Sequence, residues 1–136
     1  MYDNPLPPVR CYLTLPGAGP YNDLGSLSTP PITSDSAGKI ANLWFSGLAN
    51  RLIVTPAVGG SSINSVGADN FQDGARIQVR NGSSTDNLTF NHLGGGKTAN
   101  QFSNMYGGVV TIPPLGAAWM HREFFSNLGY SLWQFA

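Results

Sequence analysis

The sequence predicts an all-β protein, a single β-sandwich or jelly-roll-like domain over residues 39–136 preceded by an extended N-terminal arm over residues 1–38. Three observations carry that expectation. The 17 glycines and 10 prolines fall between short apolar runs, which suits many turns and few helices. The runs themselves hold β-branched and aromatic residues in alternation with polar ones, the period of a strand with one wet face. Hydrophobic residues make up 41% of the chain and include 7 Phe, 5 Tyr and 3 Trp, enough for one core in a chain of 136 residues.

In the first 38 residues prolines stand at 5, 7, 8, 16, 20, 30 and 31. Each fixes φ and removes a backbone donor, so neither a helix of useful length nor a central strand is expected there. One island, Arg10-Cys11-Tyr12-Leu13-Thr14-Leu15, alternates β-formers and is expected to add as a strand to a neighbouring sheet. Tyr2, Leu6, Val9, Tyr12, Leu13, Leu24, Leu27 and Ile32 are apolar anchors that an arm cannot bury alone. They pack either on their own domain or on a neighbouring subunit.

Beyond Lys39, runs separated by turn residues place strands at 41–46, 51–55, 75–80, 87–92, 109–112, 117–124 and 130–135. Ile77 and Val79 alternate with Arg76, Gln78 and Arg80, and Leu88 and Phe90 repeat the period after Asn81-Gly82 and a short polar stretch. A β-hairpin is expected from this pair. Nearer the C-terminus Trp119, His121 and Glu123 share one side of a strand and Ala118, Met120 and Arg122 the other. Large groups on both sides suit a strand covered by its own core and by a second chain, so Trp119, His121, Glu123 and the nearby Trp133 are expected at an oligomer interface.

Seven basic and seven acidic residues cancel, and the arginines at 51, 76, 80 and 122 form no basic run. No nucleic-acid partner is expected on that ground. No membrane partner is expected either, since no apolar run approaches the roughly 20 residues of a span. Met1–Pro5 lacks the basic and apolar segments of a secretory signal, so synthesis in a cytoplasm is expected. The lone Cys11 has no intrachain disulfide partner.

Gly94-Gly95-Gly96-Lys97-Thr98 ends like a phosphate-binding loop, but Asn91 stands where that pattern needs glycine and turn sequence follows where it needs a helix. Glu123 is the only glutamate, and Asp69 and Asp73 suit turns, so no acid pair points to hydrolysis and no catalytic residue is assigned. His92, His121, Glu123 and Cys11 match no zinc spacing; no metal or other cofactor is expected. Trp44, Trp119 and Trp133 read as core or interface anchors, with stacking on sugar rings as the alternative.

From about residue 40 onward, the ordered segments Asp73–Gly82, Asn87–His92, Thr98–Phe102, Val110–Gly116 and Ser131–Trp133 together resemble small β domains of tailed-bacteriophage virion proteins, both capsid-decoration and fibre types. His121–Asn127 departs from that pattern, which has a short polar hairpin there. The resemblance implies a trimer-forming β module without catalytic residues. Combined with the arm, it gives the expectation of a capsid decoration (cement) protein. Such a protein is made in the bacterial host cytoplasm, sits on the outer capsid surface as a homotrimer and contacts the major capsid protein. The alternative is a tail-associated adaptor or receptor-binding tip whose 94–104 loops meet a host-surface glycan.

Overall fold

The computed structural model describes residues 9–15, 21–22, 33–34, 40–45, 50–68, 73–92 and 108–135. Among these residues eleven strands run in chain order: β1 (Arg10–Thr14), β2 (Tyr21–Asn22), β3 (Thr33–Ser34), β4 (Ile40–Phe45), β5 (Arg51–Thr55), β6 (Ser61–Ala68), β7 (Arg76–Asn81), β8 (Leu88–Phe90), β9 (Val110–Ile112), β10 (Ala117–Phe125) and β11 (Tyr130–Phe135). They form a six-stranded sheet in the order β11-β10-β7-β5-β1-β2 and a five-stranded sheet in the order β3-β4-β6-β8-β9. The described part is therefore all-β, and the seven strands read from the sequence in residues 39–136 are all present, with bounds shifted by a residue or two at most of them.

The expected hairpin of β7 and β8 is corrected, because these strands lie in different sheets. Between β4 and β8 the chain alternates sheets at every strand. Each new strand then lies parallel to the one two before it, giving parallel pairs β4/β6, β6/β8 and β5/β7. A parallel pair needs a long crossover, and here a strand of the opposite sheet supplies it in place of a helix. Jelly rolls are antiparallel, so these pairings distinguish the chain from that pattern.

At the β7–β8 crossing, Asn81 is fully buried and its amide replaces what a hairpin turn would supply. Nδ2 donates to the carbonyls of Asp86 (2.7 Å) and Ile112 (3.0 Å), while Oδ1 accepts from the Ser83 N–H at 2.9 Å. A Cβ on the adjacent Gly82 would lie 2.5 Å from Thr55 Oγ1, so the chain passes β5 too closely for a side chain.

Strand β6 is absent from the sequence reading because a β-bulge breaks its period. Ala41 pairs with Ile63 and Asn42 with Ser65, which leaves Asn64 extra. The phase slips, and Ile63 and Val66 both reach the core although three positions apart.

Strand β1 overturns part of the arm expectation. It pairs in parallel with β5 along its whole length and inserts Cys11, Leu13 and Leu15 into the core of its own chain. The separation of residues 1–38 from the domain fails for this stretch, and Leu13, fully buried, is not a partner anchor. The alternation of the island is that of an interior strand with one inward face.

Both sheets contribute to one hydrophobic core: Leu52, Val54, Ile77, Val79, Met120 and Trp133 from the larger, Ile63, Val66, Leu88, Phe90 and Ile112 from the smaller. Each such side chain contributes roughly 1.5–3 kcal/mol on full burial. Phe90 and Phe135 bridge the sheets with ring centroids 5.0 Å apart. The Trp133 indole N–H donates to the Val66 carbonyl across the sheets at 2.7 Å. Trp133 is completely buried, so its expected place at an oligomer interface is corrected to the centre of the core.

Candidate binding face

Alternation along the strands of the larger sheet turns one set of side chains away from the core. On β1 these are Arg10 and Tyr12, on β5 Arg51 and Ile53, on β7 Arg76, Gln78 and Arg80, and on β10 Trp119 and His121. Register aligns them. Arg10, Arg51, Gln78 and Trp119 form one row across four strands; Tyr12, Ile53, Arg80 and Ala117 form the next, and Arg76 stands opposite His121. Four of the chain's five arginines thus share one outer face. The fifth, Arg122, points inward with its guanidinium 5.0 Å from the Trp133 ring centroid, and burial lowers its pKa from the ordinary arginine value.

Trp119 stands at the β10 end of the first row. It remains 37% exposed, and the guanidinium carbons of Arg51 and Arg76 lie 4.8 Å and 4.9 Å from its ring centroid. These are cation–π distances, which hold the ring and both cations in a fixed arrangement. Further donors are tied down from behind: Arg51 donates to the Asn50 carbonyl (2.9 Å) and Arg80 to the Leu115 carbonyl (3.0 Å). A guanidinium has five N–H donors, so both keep others for a ligand. Between Arg10, Arg51 and Arg80 the sheet carries a hollow of about 160 Å³, lined also by Leu52, Ile53 and Gln78.

No described carboxylate is within ion-pair distance of Arg51, Arg76 or Arg80. Asp73 accepts the Phe124 N–H and Asp86 the Gly59 N–H, both in turns, while Glu123 pairs with His121 at 3.4 Å at the far end of β10. Among the described residues this face carries four arginines and a single carboxylate, Glu123 beside His121. Sequence reading missed it because the arginines are scattered along the chain. The parallel pairing of β1, β5 and β7 brings them together, and only the outward phase of Arg76 and Arg80 was visible in the alternation.

Among the other expected site residues, Trp119, His121 and Glu123 do lie along one side of β10. Tyr12 is 45% exposed beside the arginines, and Val9 is half-buried, with its N–H donating to Asn50 Oδ1 at 2.9 Å. Tyr2, Leu6, Leu24, Leu27, Ile32 and the 94–104 loop lie outside the described residues. Cys11 is in the core and His121 on the outer face, so these two are not brought together. Among the described residues no group of three or more His, Cys, Asp or Glu side chains is placed to hold a metal, and no helix is long and apolar enough to cross a membrane. No family model, curated protein or solved structure matches the chain.

Proposed function

We propose that this chain is a non-catalytic structural protein of a bacteriophage particle, a β-sandwich module that decorates the outer capsid surface by docking on the major capsid protein. The observation that carries the docking reading is the outer face of the six-stranded sheet. Its Trp119, held by Arg51 and Arg76, is a preorganised anchor on rigid strands. The phage assignment rests on the ordered motifs between Asp73 and Trp133.

In this reading the copies associate in threes through the β10–β11 hairpin. His121 and Glu123 lie on that hairpin, and its end exposes Phe124 (50%) and Leu128 (42%), apolar surface that a neighbouring copy covers. Trp119 then belongs to the capsid contact and not to the trimer contact. Electron microscopy of particles carrying a gold-labelled copy tests this directly. Label on the outer shell at three-fold clusters is the expected result, and particles without label overturn it.

The exposed Trp119 also favours a second reading, a tail-associated receptor-binding tip in which the indole stacks on a host-surface glycan. Label confined to the tail, with glycan binding by the isolated protein, selects that reading.

A further inference from the structure

We infer that the arginine face takes an extended acidic polypeptide segment of the docking partner, laid along the strands of the six-stranded sheet; this rests on the docking reading above and adds the chemistry of the partner. Charge is the first argument. Arg51, Arg76 and Arg80 share a face on which, among the described residues, the only carboxylate is Glu123, at one end and beside His121. A two-fold contact between copies of this face sets arginine against arginine, so an anionic surface of another protein is the complement.

Spacing is the second argument. Arg51 is level with Gln78, midway between Arg76 and Arg80. Along the strand direction, Arg76, Arg51 and Arg80 therefore follow one another at steps of two residues, about 6.7 Å each. That is also the spacing of alternate side chains on an extended polypeptide, so carboxylates at positions i, i+2 and i+4 match the backbone positions of the three arginines, of which Arg51 and Arg76 both reach Trp119. The side-chain types are the third argument. Arginine forms two parallel hydrogen bonds to a carboxylate, and tryptophan, tyrosine and arginine are the residues enriched at the centres of protein–protein contacts. Trp119 and Tyr12 flank the arginines here. The hollow beside Arg51 and Arg80 has room for one carboxylate-bearing side chain.

The test uses the full chain, fluorescence anisotropy and four labelled probes of equal charge: a peptide of alternating Glu and Ser, its isomer with the glutamates in one block, a polygalacturonate fragment and a single-stranded oligothymidylate. The alternating peptide is expected to bind most tightly. Its affinity should fall about tenfold or more in the Arg51→Gln, Arg76→Gln double variant and to a smaller extent in Arg51→Lys, Arg76→Lys, which keeps charge but loses the fork. A thermal melt like that of the unmodified protein shows the variants folded. Tighter binding of the sugar acid or the oligonucleotide, equal binding by the double Gln variant, or no peptide binding overturns the inference. Co-sedimentation with phage particles separates the two levels. If the double Gln variant sediments as well as the unmodified protein, docking stands and the acidic-segment inference falls. If the unmodified protein binds the peptide but no particle, the inference stands and the virion reading falls.

Discussion

Leu115 is the one non-glycine residue with positive φ among the described residues, at 60°. It occupies the third position of a turn closed by the Gly116 N–H on the Pro113 carbonyl (2.9 Å), where a side chain crowds the backbone. Because Leu115 is 58% exposed, it recovers little of that strain through burial. Leu115→Gly is expected to stabilise the fold by about 0.5–1 kcal/mol, read as a rise of a few degrees in Tm. Gly116→Ala should do the reverse, since its Cβ would meet the Pro113 carbonyl oxygen at 3.0 Å. Asn81 is the opposite kind of residue, a buried amide whose removal leaves the Asp86 and Ile112 carbonyls and the Ser83 N–H without it. Asn81→Ala should cost about 3 kcal/mol or more, seen as a lower urea midpoint at unchanged slope. The hairpin expected across Asn81-Gly82 and the polar stretch after it followed from local alternation. What the local pattern did not contain was the distant Ile112 carbonyl that the Asn81 amide bonds.

Strands were legible where the alternation ran unbroken, as in β5 and β7, and where aromatic and apolar residues were dense, as in β10 and β11. Strand β6 was not, because the bulge at Asn64 slips its phase and serine and asparagine dominate its composition. Strand β1 was legible as a strand but not as part of this core, since its partner β5 lies some 40 residues further on and parallel pairing leaves no turn between them to read. The placement of β1 has a consequence for truncation. Removing residues 1–15 takes Cys11, Leu13 and Leu15 from the core and bares an edge of β5. A buried Leu truncated to Ala alone typically costs 2–5 kcal/mol, so loss of the whole strand exceeds the stability of a chain this size. The truncated protein is expected to show no cooperative melt by circular dichroism; a sharp transition near that of the full chain would mean that β1 is dispensable.

Over the whole molecule, zero net charge conceals an uneven distribution. Composition gave no electrostatic partner, yet sheet topology gathers Arg10, Arg51, Arg76 and Arg80 on one face, with Arg51 and Arg76 against Trp119. The binding face could not be read from the sequence, because it depends on which strands lie side by side. Salt is therefore expected to weaken particle docking more steeply than the chain's net charge suggests, since the Debye length shortens from about 10 Å at 0.1 M to 3 Å at 1 M. The most direct test is hydroxyl-radical footprinting of the protein free and bound to particles. Trp119, exposed in the free chain, and Tyr12 beside the arginines should become protected on binding, while the buried Trp133 stays protected in both states as the internal control. Equal labelling of Trp119 in free and particle-bound protein would contradict docking through this face.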